Sequence, residues 1–382
     1  MKKLTASKVH RNERLATPPL FFPSFSLPDP FNSEHTYTHS CSTLLVYPGG
    51  WPADVDPVGY VFILTLAVLS LTSLDIPKPL EFVLDSGVNS VTFSPDGSYL
   101  VIGCNDGTIQ QWRISDGKKT TMKADGSVLV VAVSSDGKWI VSGGLDCKVT
   151  VWDAKTQKST VEATQMNEKW ISALDVSPGS TRFVSASSDY TANIWSLTTG
   201  QRLVGPLKHN NRVDSVAFSP DGDQVATAGL YDCLRVWDSR DGHLITEVSS
   251  LFPESLVWWR DDQILASTQS TQQWIDALSG SILLELPRND DTATKAYLAV
   301  SRNRNFLASL EKRTLCLWDQ TSCSWSRITS GLGYAGHTIA ISPDNRHLVT
   351  GGEDKISIWN LPHFAPENAT HVGTSFPDSF ED

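Results

Sequence analysis

Seven tryptophans, Trp112, Trp152, Trp195, Trp237, Trp274, Trp318 and Trp359, recur at intervals of 40, 43, 42, 37, 44 and 41 residues. That near-constant spacing constrains this chain more than any other feature in it. A fixed period of this size marks stacked supersecondary units, each unable to bury its own apolar face alone. A similar frame surrounds each tryptophan. An alternating apolar strand runs into a turn: FSPDG at 93–97, VSSDG at 133–137, VSPGS at 176–180, FSPDG at 218–222 and ISPDN at 341–345. A second strand follows (LVIG, IVSG, FVSA, VATA, LVTG), then a second turn and a third strand ending in Trp, as in KVTVWD at 148–153. Pro-Asp-Gly supplies a fixed φ, a side chain that caps the turn, and a residue free to take positive φ. Alternation such as Val149 and Val151 against Thr150 and Trp152 gives strands whose two faces both pack on neighbouring sheets. The product is a meander of short antiparallel strands, and seven such sheets arranged radially expose few edges.

The SPDG turns and the pairs Trp152-Asp153, Trp237-Asp238 and Trp318-Asp319 resemble the WD-repeat β-propeller family over roughly residues 78–362. The resemblance implies an all-β, seven-bladed propeller of four-stranded antiparallel blades. Four frames match closely; the fifth and sixth are eroded, with WRDD at 259–262 and SRNR at 301–304 in place of the turn. KISIWN at 355–360 is the third strand of the seventh frame, and PLEFVLDSG at 79–87 is an orphan strand ahead of the first. In this family an N-terminal strand typically completes the last blade, so 79–87 is expected to close the ring.

The flanks have a different texture. Residues 1–77 read as a leader, rich in Pro, Ser, Thr and Phe over 1–57 and without sustained period, a composition that favours disorder. Within it, PVGYVFILTLAVLSLTSL at 57–74 carries no charge between Asp56 and Asp75 and reaches the length of a membrane span. Flanking acids and late Ser and Thr residues weaken that reading. A segment that packs on the domain and a misassigned coding start are the alternatives. Residues 363–382 form an acidic tail expected to be flexible.

The formal net charge of -11 argues against direct binding to a nucleic-acid backbone, which needs a basic stripe. The six cysteines, Cys41, Cys104, Cys147, Cys233, Cys316 and Cys323, form no CxxC pair and read as free intracellular thiols. A cytoplasmic or nuclear location is expected, with membrane association only through 57–74.

No phosphate loop, HExxH or GxSxG motif occurs, and the nine histidines lie scattered without metal spacing. No catalytic residue, cofactor or metal is therefore expected. Asp96, Asp136 and Asp221 recur in one turn, and Asp106, Asp146 and Asp189 recur six residues before the Trp; acids repeated at one geometric position are turn or brace residues. The family resemblance implies a buried brace joining the third-strand Trp, a second-strand Ser or Thr, a turn Asp and a His before the first strand. Candidates are Ser142, Asp146 and Trp152; Ser185, Asp189 and Trp195; and Thr350, Asp354 and Trp359. In the fourth frame His209, Thr227 and Trp237 are in place, with Tyr231 where the Asp belongs and Asp232 one step late. Ile102 occupies the Ser/Thr place in the first frame, leaving Asp106 as a free acceptor; His337 falls inside a strand and is set aside.

By the same resemblance, a propeller without a catalytic constellation is a platform for other proteins or peptides, expected as a monomeric ring within a complex. Loops before the first strand and between the second and third share the face on which such rings usually dock partners. Lys169, Trp170, Tyr190, Arg212, Tyr231 and Phe252 fall there. Aromatic and Arg side chains suit interface anchors, although Trp170 and Phe252 can instead cover their own blade's core. Trp258 aligns with the core position of Phe93 and Phe218, and Trp259 replaces the turn serine with an exposed position expected.

Overall fold

A computed structural model of the chain describes residues 72–73, 78–163, 168–229, 231–249, 251–288, 295–320, 324–329 and 332–361. The described strands form seven antiparallel sheets in a ring. Blade 1 comprises Val88–Phe93, Tyr99–Cys104, Thr108–Arg113 and Lys119–Lys123, from the central channel outward. Blades 2 to 6 repeat that order, with first strands Val128–Val133, Ile171–Val176, Ser215–Phe218, Ser255–Arg260 and Ala296–Val300. In blade 7 the chain contributes Thr338–Ile341, His347–Gly352 and Lys355–Asn360. Its outer strand is Leu80–Val83, antiparallel to the third with Leu80 opposite Ile358 and Val83 opposite Lys355. The orphan strand closes the ring, as expected from the sequence.

One element extends the four-stranded pattern. Thr72–Ser73 pairs in parallel with the outer strand of blade 6, opposite Ser326 and Arg327. These two residues belong to the apolar run 57–74; the rest of that run, the rest of the leader and residues 362–382 lie outside the described residues. No helix among the described residues is long and apolar enough to cross a membrane.

Packing explains why the period must be kept. Each core cluster joins neighbouring blades: Val141, Val149 and Val151 of blade 2 meet Ile171, Leu174 and Phe183 of blade 3. Across the closure, Val349, Ile356 and Ile358 of blade 7 meet Val91, Phe93 and Trp112 of blade 1. No blade has a core of its own, so stability belongs to the ring. Close approach is set by small residues in the second strand. A Cβ on Gly103 would come within 2.8 Å of Val128, and one on Gly143 within 2.8 Å of Ile171.

The repeated lower turn is held by its serine and acid. Ser134 Oγ donates to Asp136 Oδ1 at 2.6 Å and accepts the Trp139 amide at 3.0 Å. Gly137 takes φ +71° there, which only glycine adopts without strain. Blade 6 rebuilds the same turn from SRNRN: Ser301 Oγ donates to Asn303 Oδ1 at 2.7 Å and accepts the Phe306 amide at 2.8 Å. Blade 5 instead makes a two-residue turn with Arg260 opposite Gln263, and the register shifts at Trp259. That bulge turns Trp259 inward, correcting the exposed position expected of it. Its ring is 4% exposed and packs with Leu265, Trp274, Leu307 and Trp318 between blades 5 and 6. Trp258 is buried as well, and its Nε1 donates to the Ala217 carbonyl at 3.0 Å.

Candidate functional site

The upper face is formed by the loops that enter each blade and by the hairpins between second and third strands. What sits beneath those loops differs from blade to blade. In blade 4, Trp237 Nε1 donates to Thr227 Oγ1 at 2.8 Å. His209 Nε2 lies 2.7 Å from that hydroxyl, and His209 Nδ1 lies 2.8 Å from Asp232 Oδ2. Arg235 Nη1 adds a contact of 3.0 Å to Asp232 and one of 2.8 Å to His209 Nδ1, and Arg235 Nε reaches Glu247 at 2.9 Å.

Burial, then the nearby Arg235 charge, pushes the His209 imidazole down to about 4, so the ring is neutral at pH 7 and its contact with Asp232 is a hydrogen bond. With its one proton on Nδ1 the ring donates to Asp232; with it on Nε2 it donates to Thr227 and accepts from Arg235. Burial opposes ionisation of Asp232, but the Cys233 and Asn210 amides and Arg235 outweigh it and hold the carboxyl well below the usual range.

Asp232 completes the brace because this hairpin, equal in length to those of blades 2 and 3, closes in a tighter turn. Gly229 pairs directly with Asp232 and the register shifts between Thr227 and Gly229, so the residue after the turn points inward. Tyr231, at φ +65°, is thrown outward and is 69% exposed.

The other frames hold fewer members. In blade 2, Trp152 Nε1 donates to Ser142 Oγ at 2.8 Å, while Asp146 caps its own turn by accepting the Lys148 amide at 3.1 Å. In blade 3, Trp195 Nε1 donates to Ser185 Oγ at 2.9 Å, and Asp189 accepts from Thr191 and from the Glu168 amide at 3.0 Å. In blade 7, Trp359 Nε1 reaches Thr350 Oγ1 at 3.3 Å. The Asp354 side chain is exposed there, because the short hairpin points it out of the blade. Tyr334 fills the inner place: its hydroxyl lies 2.8 Å from Thr350 Oγ1 and 3.0 Å from Ser357 Oγ. Tyr334 went unnoticed in the sequence because it lies eight residues before Ser342, where His209 lies ten before Ser219. Blade 1 has no such brace. Ile102 is fully buried and the Trp112 indole donates to Gln110 Oε1 at 2.9 Å. Asp106 is not a free acceptor, since the Thr108 amide and hydroxyl donate to it at 2.9 and 2.7 Å.

Above these supports the sequence-selected residues form an arc over blades 3 to 5. Trp170 is 42% exposed, Tyr190 44% and Phe252 51%. Lys169 Nζ stands 5.2 Å from the Tyr190 ring centre, and Arg212 pairs with Asp214 at 3.0 Å. Tyr231 and Phe252 flank a cleft of about 380 Å³ between blades 4 and 5, floored by Leu251, Thr268 and Gln273. Such clefts suit an inserted side chain. Among the described residues no group of three or more His, Cys, Asp or Glu is placed to hold a metal ion. Cys104, Cys147 and Cys233 are free thiols.

Residues 80–113, 118–153, 158–196, 201–238 and 332–360 match the WD domain, G-beta repeat. Each match but the last begins in the outer strand of one blade and ends in the third strand of the next, so the sequence repeat straddles two sheets. Among curated relatives, rat telomerase protein component 1 is 26% identical over 301 residues, covering 74% of this chain and 11% of its own length. The ribosome biogenesis protein WDR12 homolog of Drosophila yakuba is 29% identical over 263 residues, covering 60% of this chain and 61% of its own. The B-type cell cycle switch protein ccs52A of Medicago truncatula is 22% identical over 294 residues, covering 76% of this chain and 54% of its own. The chain therefore spans between 11% and 61% of the length of these relatives. Matched repeats in five blades and a closed seven-bladed ring make this chain a member of the WD-repeat β-propeller family.

Proposed function

We propose that the chain is a non-catalytic scaffold that docks partner proteins or peptides on its upper face within a larger complex, in the cytoplasm or nucleus. The observation that carries this reading is the arc Trp170, Tyr190, Tyr231 and Phe252. It comprises four large apolar rings left between 42% and 69% exposed on one face and set beside a cleft of about 380 Å³. Tyr190 and Tyr231 both take positive φ, the turn conformation that Cys147 also takes in blade 2, and both rings project from the hairpin tips.

Affinity capture from cells, with the full chain and a Tyr231→Asn/Phe252→Ser variant, tests it. Asn tolerates the positive φ at 231, so melting should be unchanged while specific partners are lost. Capture of the same partners by both proteins would overturn the reading. The relatives' names, which speak of ribosome biogenesis and of telomerase, favour a second reading in which the host complex handles nucleic acid. Under it the purified chain, with its net charge of -11, should bind neither RNA nor DNA directly, partners supplying the basic surface. Salt-sensitive binding of the isolated chain would contradict that.

A further inference from the structure

The lower face carries a groove of about 680 Å³ between blades 1 and 2 that the proposed upper docking face does not use. Its floor includes Val133 and Ala154 beside Gln111, Thr120 and Gln157, and its rim carries Arg113, Lys118, Lys155 and Arg302. Arg113 pairs with Asp116 at 3.0 Å, whereas Lys118, Lys155 and Arg302 enter no ion pair among the described residues. Two acids also line the groove, but both serve the turns. Asp96 accepts from Ser94 and Ser98, and Asp136 accepts from Ser134 and pairs with Lys138. In a chain of net charge -11, a groove with a partly apolar floor and three rim cations outside any ion pair among the described residues suits an acidic, partly apolar ligand.

The chain itself carries a complementary segment close by. The last described residue, Leu361, bonds through its amide to the Arg346 carbonyl at 2.7 Å, beside the lower turn of blade 7. Pro343 of that turn lies 3.7 Å from where a Gly97 Cβ would stand, and Gly97 belongs to the turn whose Pro95 and Asp96 line the groove. Residues 362–382 follow, with no Lys or Arg and with Glu367, Asp378, Glu381 and Asp382. Their last part reads SFPDSFED, with two phenylalanines, Phe376 and Phe380, set among three acids. The intervening stretch 362–374 can extend to roughly 40 Å at about 3.3 Å per residue, ample to cross one blade.

We infer that residues 375–382 dock in the lower groove between blades 1 and 2, the phenylalanines on the apolar part of its floor and the carboxylates on Lys118, Lys155 and Arg302.

Carbodiimide coupling of the full chain at low salt, followed by mass spectrometry, tests the docking. The expected products join Lys118 or Lys155 to Asp378, Glu381 or Asp382 within one chain, as a mixture of isotope-labelled and unlabelled copies will show. Products mainly between chains would assign the groove to a second copy and overturn the proposal, as would their absence. A Phe376→Ser/Phe380→Ser variant keeps every reacting group and lies outside the folded ring. Its coupling should fall about tenfold or more, the loss expected for unburying large apolar side chains. Coupling should also fall in about 1 M salt, where the Debye length is about 3 Å. Unchanged coupling in both conditions would mean random collision of a tethered tail, and no docking.

Discussion

Blades 1 and 4 have the same four strands and the same packing between neighbours, yet they fill one buried place in opposite ways. Blade 4 installs His209, Thr227, Asp232 and Arg235 there, joined by contacts of 2.7 to 3.0 Å. Blade 1 installs Ile102 with Leu84 close by in the same core cluster. The fold accepts both, so the polar brace is not what makes a blade. Buried ionic groups seldom exceed a well-packed apolar replacement in stability. What the brace does here is hold the loop above it: Asp232 Oδ2 accepts the Asn210 amide at 2.8 Å and lies 3.4 Å from that of Asn211. The hairpin bearing Asp232 carries Tyr231, and the braced loop carries Arg212, both on the proposed docking face. In blade 1 the corresponding hairpin is tied by Ser86 Oγ to the Asp106 amide at 3.0 Å and by Asp106 to Thr108, a shallower and more exposed arrangement.

The comparison breaks most visibly at Asp232. Asp232→Ala should cost about 1–3 kcal/mol, because it leaves His209 Nδ1 and two backbone amides without their acceptor, while Arg235 keeps its contact with Glu247 at 2.9 Å. Chemical denaturation measures this, and a loss under about 1 kcal/mol would mean that the brace is ornamental to folding. Blade 7 offers an intermediate case, with the neutral phenol of Tyr334 in place of the imidazole. Tyr334→Phe keeps the packing and removes the hydroxyl that joins Thr350 and Ser357, so about 1–3 kcal/mol should be lost.

Blade 4 and its neighbour blade 3 respond oppositely to pH. Burial and Arg235 hold His209 down to about 4 from 6.5, so between those values the unfolded chain binds the proton and stability falls as pH falls. Asp175, on the first strand of blade 3, is half-buried along the central channel. Burial raises it to about 6 against the pull of the Phe218 and Val176 amides. There the folded chain binds the proton, so between about 4 and 6 stability rises as pH falls. The two slopes, each at most about 1.4 kcal/mol per pH unit, oppose one another in the native protein. His209→Asn should leave a stability that increases on acidification from pH 6 to 4, and Asp175→Asn one that decreases more steeply. His347, also held down by burial, contributes alike to both. Equal slopes in the two variants would refute the assignment.

The period of the tryptophans and the Ser-Pro-Asp-Gly turns are local signals that carried the blade number, and the family resemblance they support implied the closing strand and the serine-to-indole bonds of blades 2 and 3. Three features depend on loop length and register instead, which a spacing rule cannot see. Asp232 turns inward because Gly229 pairs with it across a two-residue turn. Trp259 is buried by a bulge. Tyr334 reaches Thr350 from a loop whose length differs from that before blade 4. One signal was available and went unread. Arg235 interrupts the apolar strand LRVW, and a charge in a buried strand must have a buried partner.

The smallest effect sharpens the comparison within a single chemical contact. Trp152 and Trp237 each donate to a second-strand hydroxyl at 2.8 Å, but Ser142 answers to the indole alone while Thr227 also faces His209 Nε2 at 2.7 Å. Ser142→Ala therefore leaves one buried N–H unsatisfied and should cost about 1 kcal/mol. Thr227→Val, equal in shape, deprives two ring nitrogens and should cost roughly twice that. Equal losses in the two denaturation midpoints would show that the histidine adds nothing to the bond beneath it. A larger loss at 227 locates the gain in the chain of bonds, which is what distinguishes a braced blade from one that is only packed.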